Sequence, residues 1–169
     1  DTADNIPAQN FDMVFCIGVL QFIADPHAAL KSMKASLKPG GHIFVWVYGR
    51  ENNQAYLSML YPIRRIVRNL SYASLERVCR FLEVPARIYA HAAKTLPLPL
   101  RDYMRNYFSK LDKEYRRLII YDQLNPKITH YYKQNELRDL LLSAGFEDVQ
   151  MYHRLGYSWS VLATSPEPP

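Results

Sequence analysis

The chain is poor in the residues that staple small or metal-dependent folds. It has two cysteines, Cys16 and Cys79, and five histidines scattered along its length. Those are too few for a disulfide framework and give no zinc-type ligand spacing, so no metal is expected. Glycine is scarce too, with six in 169 residues and no Gly-x-Gly anywhere. A glycine-rich loop of the kind that cradles phosphates is therefore missing from this stretch of sequence. No apolar run approaches the ~18 residues that a membrane-spanning helix needs. The opening Asp1-Thr2-Ala3-Asp4 shows neither a basic n-region nor an apolar h-region, so no secretory leader is read there and the cytoplasm is the expected compartment. No internal repeat is visible.

What is present is an ordinary globular composition, 49% hydrophobic and 22% charged, with a net charge of +5. The length suits one domain with a sizeable core. The charge is uneven: residues 50–117 hold fourteen Lys/Arg against six Asp/Glu, and the remainder seven against ten. Two regions of different character are joined. The basic one suits an anionic substrate, a membrane surface or nucleic acid, and equally the solvated faces of amphipathic helices.

Residues 11–19, Phe11-Asp12-Met13-Val14-Phe15-Cys16-Ile17-Gly18-Val19, form a short apolar run typical of a strand covered on both faces in a parallel sheet. Cys16 lies within it as a small apolar filler. Asp25-Pro26 reads as an N-cap followed by proline in the first turn. Leu30, Met33 and Leu37 continue a helical stripe that Gly40 and Gly41 should stop. A second buried strand follows over 42–48, completing a right-handed strand–helix–strand unit. Residues 50–130 read as helical: Leu57, Leu60, Ile63, Ile66, Val67 and Leu70 mark one helix that Pro62 should kink or split. Leu75, Val78, Cys79 and Leu82 mark a second. Leu96-Pro97-Leu98-Pro99-Leu100 reads as an extended connection, and Tyr103, Tyr107, Tyr115, Leu118 and Ile119 fit further helical pieces. The region is expected to lie over one end of the sheet. Sheet organisation then resumes, with a helix through Leu137, Leu140, Leu141 and Ala144 closed by Gly145 and anchored by Phe146. Strands over 149–154 and 158–164 are expected to pair antiparallel about Leu155-Gly156-Tyr157, and 166–169 is a tail.

The ordered set Phe11-Asp12-Met13-Val14, Gly18-Val19-Leu20, Asp25-Pro26, Leu37-Lys38-Pro39-Gly40-Gly41 and Glu136-Leu137 through Ala144-Gly145-Phe146, with the closing strand pair, resembles the C-terminal half of a class I S-adenosylmethionine-dependent methyltransferase. The resemblance implies an α/β fold: a partial Rossmann-like sheet of parallel strands with a C-terminal antiparallel pair, carried by 1–49 and 131–165. The helical stretch 50–130 is then an insertion or cap, and it matches no particular member. The implied cofactor is S-adenosylmethionine. Because the family's glycine-rich loop and the acidic residue ending its second strand do not occur here, the chain is expected to be a fragment. Its N-terminal half would be its partner, and its apolar strands should expose an unpaired edge.

In open parallel sheets ligands lie beyond the carboxyl ends of the strands. The resemblance accordingly implies cofactor contacts at Cys16, Ile17 and Gly18. It implies another at Gln21, where many members carry histidine near the transferred methyl. A glutamine there cannot act as a base. Asp1 and Thr2, or else Asp4, resemble the acidic turn that binds the adenine amino group. They read equally as a ragged end.

Methyl transfer is a displacement that positioning and desolvation can drive, with a base needed for some acceptors. His130, Tyr132 and His153 are the candidates, and His130 and His153 read equally as surface or packing residues. Tyr48, Arg50, Tyr131, Tyr132, Tyr157 and Trp159 are candidate pocket residues, the aromatic ones for their apolar faces and polar tips. A small-molecule acceptor ranks first. A lipid-like one ranks second, with peripheral membrane contact through the basic amphipathic Ile63-Arg64-Arg65-Ile66-Val67-Arg68. Nucleic acid ranks third: Tyr103, Tyr107 and Tyr115 interleave with basic residues, but no binding motif is present. Two functions compete with small-molecule methyl transfer. One is a non-catalytic binding or structural module, and the second is an RNA-associated methyltransferase fragment that uses the basic insert.

Overall fold

The apolar run after Asn10 forms β1 (Phe11–Ile17), which pairs parallel with β2 (Leu37–Tyr48) through α1 (Pro26–Ala35). The chain is seen in a computed structural model that describes residues 10–167. Asp25 caps α1 as its sequence demands: the carboxylate accepts the Ala28 N–H at 3.0 Å, and Pro26 takes the first turn. Ala29, Leu30 and Met33 face the core.

The helix stops earlier than its periodicity predicts. Leu37 belongs to β2, not α1, because it pairs with Phe11, whose N–H donates to Ser36 O at 2.9 Å. The next partners are Met13 and His42, so Lys38-Pro39-Gly40-Gly41 bow out of the ladder. Gly40 has φ +71, and a Cβ on Gly41 would meet the carbonyl oxygens of Lys38, Phe11 and Asp12 at 2.9–3.2 Å. The two glycines thus serve a bulge inside a strand rather than a helix stop.

The C-terminal elements follow their local signals. Helix α6 (Gln134–Ser143) ends in a Schellman arrangement, with Phe146 N–H on Leu141 O at 3.1 Å and Gly145 N–H on Leu142 O at 2.9 Å. Gly145 takes φ +91, and Phe146 is buried as the anchor. Strands β3 (Glu147–Arg154) and β4 (Ser158–Thr164) are antiparallel about a tight turn in which Leu155 and Gly156 both have positive φ. The sheet order is β1-β2-β4-β3, with β4 antiparallel to β2. Ile43, Val45, Val47 and Val161 lie on its buried face against Leu30 and Leu137.

β1 is not covered on both faces. Among the described residues it pairs only with β2, and Phe15 and Ile17 remain 62% and 58% exposed while Cys16 is buried. An apolar strand with one unpaired edge is the result.

Contacts divide the chain into two compact units. One is the sheet unit, which runs to Glu51 and resumes at Ile128, and the other is Asn52–Lys127. The second unit contains α2 (Gln54–Val67), α3 (Tyr72–Ala92), α4 (Arg101–Asn106) and α5 (Lys113–Leu124) and has no strand. Pro62 does not split α2, and Pro85 sits inside α3, since each removes only one helical donor. Helices α3 and α5 are joined by a buried ion pair, with Arg116 Nε 2.8 Å from Glu83 Oε1.

Candidate functional site

β1 and β2 end at Ile17 and Tyr48, and the chain must turn sharply after each. Gly18 makes the first turn with φ +70, its N–H donating to Trp46 O at 2.9 Å. The single helical turn Leu20–Phe22 follows. Residues 130–132, returning to the sheet, are stitched to both strand ends. The His130 N–H donates to Gln21 O at 2.8 Å, and its Nε2 lies 3.1 Å from Ile23 O. Tyr132 N–H donates to Tyr48 O at 3.0 Å, and Arg50 N–H to Tyr132 O at 2.9 Å.

An aromatic cluster gathers at this end. Tyr48 stacks on Tyr131 with ring centres 5.5 Å apart, and meets Trp46 and Phe22 edge-on at 5.5 and 6.1 Å. Trp46 also meets Tyr157 edge-on. Gln21 is fully buried, and neither end of its amide has a hydrogen-bond partner. Its Nε2 lies 3.9 Å from where a Cβ on Gly18 would stand, with the Trp46 ring 3.5 Å from the same point. Thr129, the residue before the His130–Gln21 bond, also has a buried hydroxyl without a partner.

Tyr132 is 8% exposed in the core, and its phenol is unpartnered. Burial pushes it up to about 12, with the neighbouring Cys16 adding to the rise, and burial raises the Cys16 thiol too. Both stay neutral near pH 7: the phenol can donate a hydrogen bond there but is not an available phenolate. His130 engages Ile23 O through Nε2, which must therefore be the protonated nitrogen.

His153 belongs to a separate group. Its ring stacks on Trp159 with centres 4.3 Å apart, and its Nε2 is buried without a partner. The Trp159 indole donates to Glu51 Oε2 at 3.1 Å, while Glu51 Oε1 accepts the Gln134 N–H at 2.7 Å. Burial pushes the Glu51 carboxyl up. The Gln134 N–H, the Trp159 indole and the charge of His153 outweigh it, and the net position is below the usual carboxylate range. Glu51 therefore links the end of β2 to the start of α6 and to β4. Arg50 lies 4.0 Å from Glu136 and is half exposed.

The structure thus gathers Gly18, Gln21, Tyr48, Tyr131 and Tyr132 at one end of the sheet and groups Trp159 with His153. Asp1, Thr2 and Asp4 lie outside the described residues. Among the described residues no cluster of His, Cys, Asp and Glu could hold a metal, and no helix is long and apolar enough to cross a membrane. Glu51 and Thr129 carry no sequence signal: their roles arise from partners gained or withheld in the tertiary structure.

Residues 2–151 match the family model for a methyltransferase domain. The chain is 27% identical over 108 residues to a ubiquinone biosynthesis O-methyltransferase of Acinetobacter baylyi, covering 64% of this chain and 44% of that protein. A tRNA U34 carboxymethyltransferase of Campylobacter hominis is 46% identical over 44 residues, covering 25% of this chain and 15% of that one. The chain thus spans less than half the length of these curated relatives. Among solved structures, a SAM-dependent methyltransferase of Methanosarcina mazei superposes with a TM-score of 0.51 at 15% identity, over 99% of this chain and 66% of that one. PKMT2 from Rickettsia typhi gives 0.57 at 13% identity, over 99% and 38%. At such identities the superpositions speak for the fold alone. With the family model matching most of its length and this sheet order beneath it, the chain belongs to the S-adenosylmethionine-dependent class I methyltransferase family.

Proposed function

We propose that the carboxyl end of the sheet takes part in methyl transfer from S-adenosylmethionine to a small-molecule acceptor. The observation that carries this reading is the aromatic, uncharged lining formed by Trp46, Tyr48, Tyr131 and Phe22. Such a lining suits a compact, partly apolar molecule better than a phosphate backbone, which calls for Lys and Arg. The relative described as a ubiquinone biosynthesis O-methyltransferase agrees with a small, hydroxylated acceptor.

The residues present fit one side of the cofactor. Cys16-Ile17-Gly18 offer main chain without an intervening side chain at Gly18, and the unpartnered Gln21 amide stands beside it. These residues would hold the methionine part, and the cofactor, when bound, supplies an electrophilic methyl on sulfur. Asp1 or Thr2 is assigned to the adenine end. The ribose contacts are proposed to come from a further half-domain whose strand pairs with the open edge of β1. Catalysis then draws on orienting and desolvating the acceptor against the rings; Tyr132 and Gln21 cannot accept a proton near pH 7, and His130, with Nε2 on Ile23 O, keeps Nδ1 as an acceptor.

Calorimetric titration with S-adenosylhomocysteine tests the reading. Binding by this chain, or by this chain joined to an upstream half-domain, is expected. Absence of binding by both would leave a non-catalytic module as the better account.

A second reading, a lipid-like acceptor met at a membrane surface, draws on α2. Met59 and Ile66, seven residues apart on one helical face, are 59% and 77% exposed, and Arg65 and Arg68 flank them. Exposed apolar residues beside arginines suit an anionic bilayer surface. Salt-sensitive binding to anionic liposomes, lost in Ile66→Asp, is the expected result.

A further inference from the structure

We propose that the exposed face of α3 docks this protein on an anionic lipid bilayer. Neither a lipid-like acceptor nor the exposed residues of α2 are needed for this, and it is independent of the chemistry at the end of the sheet. Its ground is the division of one helix into three lines. Leu75, Cys79, Glu83 and Ala90 are buried and fix which side of α3 packs within its own unit. Phe81, Val84 and Ile88, at spacing i, i+3, i+7, share the side turned to solvent, and Phe81 and Ile88 are 77% and 63% exposed. Arg80 and Arg87, both exposed, form the adjoining line, and the exposed Lys94 follows by the same spacing in the turn beyond the helix. Arg77, also exposed, stands one turn before Phe81.

The charge on this face is of one sign. Of the carboxylates in α3, Glu76 is paired with Arg80 at 2.6 Å and Glu83 is buried against Arg116. Arg77, Arg87 and Lys94 form no ion pair among the described residues. An apolar line beside unpaired cations is what a bilayer surface complements: the apolar side chains enter the acyl boundary, and guanidinium and ammonium groups meet the headgroup phosphates. Other occupants fit less well. A second copy docked face to face would set arginine against arginine with no carboxylate to balance it. Three apolar side chains along about 10 Å of helix also bury far less than the ~800 Å² per partner of a stable protein interface. RNA would use the cations but gains nothing from Val84 and Ile88, which have no ring to stack on a base.

Co-sedimentation of the whole chain with lipid vesicles tests this. Binding is expected to vesicles of phosphatidylglycerol mixed with phosphatidylcholine. It should weaken as salt rises and be slight with phosphatidylcholine alone. Arg87→Gln and Lys94→Gln should each weaken it about fivefold, whereas Arg87→Lys should leave it unchanged, because headgroups attract the charge. Phe81→Ser with Ile88→Ser should weaken it about tenfold or more. The unfolding temperature of that double variant should stay at the parent value, since both side chains are largely exposed. In Phe81→Trp, brominated lipid should quench the added indole beyond the quenching of Trp46 and Trp159 measured in the parent. No binding, equal binding to both kinds of vesicle, undiminished binding in the serine double variant, or no added quenching would each overturn the proposal. Binding lost in Ile66→Asp and kept in the serine double variant would leave α2 as the membrane contact and remove α3. Single-stranded RNA bound more tightly than vesicles, with the loss confined to the charge variants, would make this a nucleic-acid surface instead. Self-association abolished by the serine substitutions, without vesicle binding, would make it a contact between copies.

Discussion

At the scale of single residues, three positions show how closely backbone and charge are set. Gly41 has an ordinary φ, yet three carbonyl oxygens stand at 2.9–3.2 Å from where its Cβ would be. Gly41→Ala must move backbone, and should cost about 2 kcal/mol, read as a lower urea midpoint at unchanged slope. Gly40→Ala meets only the Glu167 side chain but takes φ +71, so about 1 kcal/mol is expected from strain alone. Glu51 gives a pH signature. Its carboxyl is lower in the folded chain than in the unfolded one, so its stabilisation is present above the ordinary carboxylate range and is lost as pH falls through its folded value. Glu51→Gln should lose about 2 kcal/mol at pH 7, the worth of hydrogen bonds to a charged acceptor. The gap from the parent should shrink as pH falls below the ordinary carboxylate range and through the lower folded value, where the parent carboxylate is protonated as well. A constant gap from pH 3 to pH 7 would show that the charge is irrelevant and that only shape matters at this position.

At the scale of elements, legibility followed the range of the signal. The end of helix α6 could be read because it is written locally in Gly145 and Phe146, and the β3–β4 hairpin because Leu155-Gly156 mark its turn. The start of β2 could not. Leu37 fits the helical spacing of Leu30 and Met33 and fits a strand equally well; only pairing with Phe11 decides between them. Of the two outcomes expected at Pro62, the split did not occur, since a helix tolerates one missing donor once its face is packed. Glu83 is the sharpest case in the helical unit. In sequence it is one more charge on α3, yet it is 2% exposed and paired with Arg116, which also donates to Leu111 O. Glu83→Ala should destabilise by about 3–5 kcal/mol by stranding a buried guanidinium. The double change Glu83→Met with Arg116→Met should cost less than either single change. Thermal unfolding of the four proteins checks this, and additive losses would rule out the pairing as the source of the cost.

At the scale of the whole molecule, the sequence exposed the frame of the candidate site better than its contents. The order strand, turn, helix, strand points to the end of the sheet where ligands collect, and Gln21 stands out there as a departure from histidine. That its amide is sealed and unpartnered, and that Thr129 shares this condition from a segment more than a hundred residues away, depends on how residues 128–132 return to the sheet. No local pattern encodes that return. The same frame explains β1, whose residues are as apolar as a doubly covered strand while Phe15 and Ile17 are 62% and 58% exposed. A strand with that composition and, among the described residues, one edge without a partner is a template for another strand. The chain alone is therefore expected to self-associate in sedimentation velocity at micromolar concentration. Phe15→Lys with Ile17→Lys should return it to a monomer, because charge on an open edge opposes pairing. The unfolding midpoint should change little, since both side chains bury less than half their surface in the single chain. Supplying a half-domain that pairs with β1 should suppress the self-association of the parent chain and fail to bind the lysine variant. Association that survives both substitutions would place the adhesive surface elsewhere and remove the open edge of β1 as the docking point for the rest of the methyltransferase fold.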